Sequence, residues 1–207
     1  MTWIDISQTL TDDTAHWPED APFSFELPVT KAETGSVNIG KITTSTHTGT
    51  HIDAPFHFDE AGGTVETLDI NRYIGDATII SVYDTEVITK PMLSSFEIKG
   101  TILLIKTQDA YDTETFPETV PVLDGDAVEY LASAGIKLFG IDVPSVDALD
   151  SKDLTIHHKL HQNDIMIIEN VVLAGTPDGF YDFIALPLKI KGGDGSPVRA
   201  AVKAKGE

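Results

Sequence analysis

The sequence predicts an α/β or α+β domain built around a mixed β-sheet. Three observations lead there. Short β-branched, apolar runs recur along the chain, each about the length of a buried strand. Segments of helical character fall between them. No internal repeat, low-complexity tract or Pro/Gly/Ser-rich linker divides the chain, so residues 1–207 read as one domain.

In chain order, residues 77–83 (ATIISVY) and 101–106 (TILLIK) read as strands, apolar on both faces and rich in β-branched residues. Residues 126–134 (DAVEYLASA) read as a helix, with Asp126 near its start and Gly135 as its stop. Residues 138–143 (LFGIDV) give a third strand. Residues 151–162 read as a second helix and residues 164–169 (DIMIIE) as the strand after it. Residues 183–190 (FIALPLKI) read as a further strand, where Pro187 marks an edge or a bulge. Gly62-Gly63 and Gly192-Gly193 mark loops. The stretch GGDGSP from Gly192 is no phosphate loop, because it lacks the Lys-Ser/Thr ending and opens no evident helix.

Charge and composition exclude several classes of function. With 14 Lys+Arg against 33 Asp+Glu, the formal net charge is −19. That field repels a nucleic-acid backbone and an anionic membrane surface. Cysteine is absent, which removes disulfides, thiolate zinc sites and a cysteine nucleophile, and fits a cytoplasmic protein. The opening MTWIDISQTL has neither a basic nor an apolar signal region, so no signal peptide is expected. The longest apolar runs, such as residues 102–105, fall far short of the roughly 18 residues of a membrane span.

Six of the 7 histidines lie in two short windows. In the first, THTGTHIDAPFHF, the polar donors are His47, His51, Asp53 and His57. The β-branched threonines, Gly49 and Pro55 make a helix a poor host. In an extended chain all four odd-numbered positions share one face. Fully extended, His47 and His51 would stand about 13 Å apart. Ligands of one ion, with bonds of about 2 Å, cannot be so far apart. The chain is therefore expected to curl, with Gly49 supplying the turn and Pro55 re-aiming it before His57. Imidazoles with a carboxylate suit Zn²⁺, Mn²⁺ or Fe²⁺, and two histidines plus one aspartate leave a coordination position open for chemistry. Any one of these histidines alone would more often be an ordinary polar residue. It is the one-faced set, broken by Gly and Pro, that points to a site.

The second window reads SKDLTIHHKLHQNDIMIIEN. His157 and His161 share a helix face, and His158 points elsewhere. Glu169 lies in an apolar strand pattern, on the same period-2 face as Ile165 and Ile167. It either looks toward the core, where it needs a partner or a metal, or ends the strand and turns to solvent. A pair of divalent ions would account for both windows, with Asp53 and Glu169 available as bridges. Such ions lower the pKa of a bound water from 15.7 toward about 7, which is the chemistry of a hydrolase.

HTGTHIDAPFH, from His47 to His57, resembles the HxGTHxDxPxH signature of the cyclase-type metal-dependent hydrolases. Within that family the chain looks most like the bacterial arylformamidases (kynurenine formamidases). The resemblance extends to HWPED from His16, IDVPSVD from Ile141 and LPLKIKGGDGSPVRA from Leu186. It implies a compact α/β domain around a mixed sheet, of the swivelling β/β/α type, and a homodimer. It also implies two zinc ions per subunit, with Mn²⁺ as an alternative. His47 and His51 would bind one ion, Asp53 and Glu169 would bridge, and His157 would bind the other. His157 stands at the family's offset of 12 residues before the glutamate, which His158 and His161 do not match. His57 would be the general acid/base and Trp17 a wall of the substrate pocket.

The implied reaction is hydrolysis of N-formyl-L-kynurenine to L-kynurenine and formate in tryptophan degradation. The residues suit it. An aryl formamide needs an activated water, a polariser for the formyl oxygen and a proton for the leaving nitrogen, the last a role for His57. The alternative is a cyclic amide such as isatin, opened by the same machinery. A non-enzymatic metal binder is disfavoured because His57 is present beyond the ligand set. A serine hydrolase is disfavoured because no GxSxG elbow occurs.

Overall fold

Apolar side chains alternate along the central strands, so one sheet has two buried faces. A computed structural model describes residues 2–110 and 112–206. Its strands are β1 (Ile4–Asp5), β2 (Ser24–Val29), β3 (Ile39–Thr43), β4 (His51–Asp53), β5 (Ile74–Ser81), β6 (Val87–Ile88), β7 (Ile102–Lys106), β8 (Val122–Leu123), β9 (Leu138–Ile141), β10 (Met166–Glu169), β11 (Gly179–Ile184), β12 (Gly195–Pro197) and β13 (Ala201–Ala204). The helices are α1 (Lys31–Thr34), α2 (Lys90–Leu93), α3 (Gly125–Ser133) and α4 (Thr155–Gln162). Nine strands form the main sheet in the order β1-β13-β11-β5-β7-β9-β10-β4-β12. The four strands β5, β7, β9 and β10 run parallel, and antiparallel strands extend the sheet on both sides. The mixed α/β architecture is therefore as expected.

Leu103, Ile105, Phe139, Ile141 and Ile167 face one way and pack with Val128 and Leu131 of α3 and Ile156 and Leu160 of α4. Their neighbours Ile102, Leu104, Leu138 and Ile168 face the other way, toward Ile6, Ile52 and Tyr73. Gly140 lies between strands so close that a Cβ would stand 2.4 Å from Leu104 Cδ2 and 2.8 Å from Ile168 Cγ2. β2 and β3 form a separate hairpin that exposes Phe25, Leu27, Ile39 and Ile42. Among the described residues, no helix is long and apolar enough to cross a membrane.

The structure shifts several expected boundaries. α3 starts at Gly125 because Asp124 caps it by accepting the Ala127 N–H at 2.6 Å, with Asp126 in its first turn. α4 begins only at Thr155, since Leu154 sits in the left-handed region at φ 42. The run expected at 183–190 ends as a strand at Ile184. β11 instead begins at Gly179, where it pairs with β5, and Pro187 makes only an isolated bridge to Val198. Lacking an N–H, proline cannot continue the ladder.

Candidate metal centre

The first histidine window is a turn, a three-residue strand and a single 3-10 turn in succession. Gly49 adopts φ 66 and reverses the chain between His47 and His51, the curl its position predicts. Only His51 to Asp53 is extended, as β4. Pro55 opens the 3-10 turn Pro55–His57, which carries His57 back toward the strand. β4 lies between β10 and β12, so its register sets the site. Glu169 pairs with His51, and Ile167 and Gly195 flank Asp53. His51 and Asp53 therefore project from the face that α4 covers, while Ile52 enters the opposite core. Glu169 emerges on that same face and is 3% exposed, which settles its direction inward. α4 brings His157 onto the group from above.

Six predicted residues meet here. Asp53 Oδ1 lies 2.9 Å from His47 Nδ1 and 3.5 Å from His51 Nε2, while its Oδ2 lies 3.5 Å from His157 Nε2. Glu169 divides in the same way, with Oε2 3.5 Å from His51 Nε2 and Oε1 3.7 Å from His157 Nε2. Each carboxylate thus offers one oxygen toward His51 and the other toward His157. His57 stacks on His47 at a centroid distance of 4.0 Å and is the most open of the four histidines around the carboxylates. Donor atoms of His47, Asp53 and His57 also fall within 4.8 Å of one another. His158 and His161 stack edge-on to Phe58 and meet neither carboxylate. Trp17 is half-buried, its ring 5.1 Å from that of Phe116.

The donor set fits a divalent ion. Both Asp53 oxygens are buried and accept no well-aligned hydrogen bond, a costly state for a carboxylate. Four-coordinate bonds of about 2 Å place neighbouring donors about 3.3 Å apart, close to the separations found here. The far nitrogens of three imidazoles are already engaged. His51 Nδ1 lies 2.8 Å from the Gly49 carbonyl, His157 Nδ1 2.7 Å from Asp147 Oδ2, and His47 Nε2 3.1 Å from Asp194 Oδ2. Each contact places a proton on the outer nitrogen and turns the inner one toward the carboxylates. Among the described residues His57 has no such partner; Asp194 Oδ2 lies 3.8 Å from its Nδ1.

Electrostatics follow from burial and charge. Burial alone would lower the three inner histidines. Asp194 and Asp53 outweigh it and hold His47 up at about 9, while Asp53 and Glu169 hold His51 up at about 10. Asp147 and Asp53 do the same for His157, also about 10. Asp53 is buried, yet the imidazoles around it keep it well below the usual carboxylate range. Burial and the Asp53 charge push Glu169 up. His57 is shifted down, chiefly by burial.

A cavity of about 300 Å³ opens over the centre, bounded by Trp17, Pro144, Leu149 and Leu154 above the histidines and Glu169. A second, of about 410 Å³, adjoins it through Trp17, His47 and Pro144. Asp147 and Asp194 were not singled out from the sequence. Both lie in stretches that carried the family resemblance, IDVPSVD and GGDGSP, and that was the only signal available for them.

The sequence profile described as "Putative cyclase" matches residues 4–148. A kynurenine formamidase of Bacillus cereus is 52% identical over 202 residues, covering 97% of each chain. The structure of a predicted metal-dependent hydrolase from Bacillus stearothermophilus superposes with a TM-score of 0.76 at 29% identity, covering 97% of both chains. Isatin hydrolase A from Labrenzia aggregata superposes with a TM-score of 0.82 at 22% identity, covering 99% of this chain and 94% of that one, a likeness of fold.

Proposed function

The chain belongs to the cyclase family of metal-dependent hydrolases, and from that premise we propose that it hydrolyses N-formyl-L-kynurenine to L-kynurenine and formate. The observation that carries the substrate is the 52% identity to the Bacillus cereus kynurenine formamidase across nearly the whole of both chains. The buried carboxylate pair between His51 and His157 supports the hydrolytic chemistry.

His47 and His51 would hold one Zn²⁺, His157 would hold a second, and Asp53 and Glu169 would contribute to both, with Mn²⁺ as the alternative. Such ions would supply an acidified water and polarise the formyl oxygen. His57 accepts a proton from the attacking water and returns it to the departing aniline nitrogen. Its lack of an outer acceptor suits that role, because its ring nitrogens stay free to exchange protons. Trp17, Pro144 and Leu149 offer flat apolar walls for the aryl ring and keep bulk water from the centre. The exposed apolar side of the β2–β3 hairpin supports a homodimer, which light scattering tests.

The experiment is kynurenine formation from N-formylkynurenine, followed by absorbance before and after chelation, with Zn²⁺ or Mn²⁺ restored. Turnover that is lost on chelation and regained with metal is expected. A folded, metal-loaded sample without turnover would refute the substrate, and isatin would be tested next.

A further inference from the structure

The loop between β9 and α4 touches the centre twice without contributing a ligand to it. The Val146 N–H donates to Glu169 Oε1 at 3.0 Å. The next residue, Asp147, is 5% exposed and directs its carboxylate at the start of α4. Its Oδ2 accepts the Ile156 N–H at 3.1 Å, the His157 N–H at 3.0 Å and the His157 ring Nδ1–H at 2.7 Å, while its Oδ1 accepts the Ile156 N–H at 3.0 Å. One side chain therefore anchors the first turn of a helix and the ring of a residue on that turn. α4 otherwise has a weak beginning, because Leu154 at its cap position supplies no side-chain acceptor.

We propose that Asp147 is the positioning residue of the metal centre, holding His157 as the Nδ1–H tautomer so that Nε2 faces Asp53 and Glu169. The inference rests on the metal-centre reading above and goes beyond its ligand set. A neutral imidazole has one protonated nitrogen and one that can bind a cation. Without an acceptor at Nδ1, His157 would divide its population between two tautomers, and in one of them Nε2 is blocked by its own proton. The ring could also rotate about its χ angles, because Asp147 is the acceptor that ties it to the loop. The carboxylate adds negative charge behind the imidazole and makes the far nitrogen a better donor. Asp194 beside His47 and the Gly49 carbonyl beside His51 play corresponding parts. Only Asp147 couples this role to the helix that carries its histidine.

The test uses the zinc-loaded full chain with ¹⁵N-labelled histidine. Long-range proton–nitrogen spectra are expected to show His157 protonated at Nδ1 and shifted by metal at Nε2. Asp147→Ala is expected to broaden that Nδ1–H signal by exchange with water, since its acceptor is gone, and to weaken one zinc site by about 10–100-fold in a chelator competition, leaving the other nearly unchanged. A helix-capping role alone would lower the melting temperature and leave both zinc affinities as in the wild type. Wild-type His157 protonated at Nε2, or Asp147→Ala binding both ions as the wild type does, would overturn the proposal. Should the alanine variant fail to fold, Asp147→Asn, which keeps the side chain's size and removes its charge, enters the same competition and is expected to weaken the same zinc site; wild-type affinity at both sites would overturn the proposal. Wild-type protein that binds no zinc would instead refute the metal-centre reading, a different outcome from either of these.

Discussion

Replacing His57 by alanine separates proton transfer from metal binding. The His57 side chain is 34% exposed, makes no side-chain hydrogen bond among the described residues, and touches the centre through its stack on His47. Removing it should cost about 1 kcal/mol of stability or less, as for other open positions without buried partners. Its loss from catalysis is far larger. General acid/base assistance is worth about 10²–10⁴-fold, or roughly 3–5 kcal/mol of barrier. His57→Ala is therefore expected to keep its metal and its melting temperature while kcat falls by about two to four orders of magnitude. The pH profile gives a second handle. Burial lowers His57 from 6.5, so its neutral, proton-accepting form is already present at neutral pH and is lost only as pH falls through the lowered value. The acid limb of kcat/KM should accordingly bend below pH 6.5 in the wild type and flatten in the variant. Steady-state kinetics from acid to neutral pH, with metal content measured by mass spectrometry, check both. Metal lost together with activity would make His57 a ligand, and a loss of less than about tenfold would remove it from proton transfer.

Three further outcomes are expected. Glu169→Gln, which neutralises one of the two carboxylates between His51 and His157, should lower occupancy of both ions; full occupancy with intact activity would take Glu169 out of the site. Gly195→Ala would place a Cβ 2.6 Å from His47 Cε1 and 3.0 Å from the Ile52 carbonyl, so His47 must yield. Overpacking of this kind costs about 1–3 kcal/mol, and thermal melts with chelator competition should show both lower stability and weaker metal retention. Loading the metal-free protein at pH 7 in weak buffer should release protons, because His47 is held at about 9 and His51 and His157 at about 10. Apparent affinity should then tighten as pH rises toward those values, and a flat affinity measured by calorimetry would contradict the raised pKa values.

The first histidine window was legible because its constraints are local. Donor spacing, the left-handed freedom of Gly49 and the stiffness of Pro55 dictate a curl wherever the segment sits in the fold. Glu169 was legible in part. Period 2 put it beside Ile167, but only pairing with His51 across β4 shows that this face is covered. β1, β12 and β13 were invisible, and the extended chain expected across the first histidine window narrows to β4. At two to four residues each, they have no periodicity, and register with distant strands alone creates them. The start of α4 was misjudged for a related reason. Its capping group is Asp147, eight positions before Thr155, and a cap from beyond a loop leaves no adjacent signal. Asp194 is similar, since its contact with Thr46 spans 148 residues.

β4 is three residues long and carries His51 and Asp53, and its surroundings come from much later in the chain. Thr50 bonds to Asn170 across 120 residues and Thr46 to Asp194 across 148. Domains emerge from the ribosome N-terminus first, so this segment waits through most of synthesis for its neighbours. During that interval its imidazoles sit on an open strand that offers a passing cation no enclosed cradle. The surroundings of β4 are complete only once Gly195–Pro197 pairs with it. The proposed centre can therefore be enclosed only at the end of translation, and a chain released before Asp194 would carry every proposed ligand without the strand that covers them.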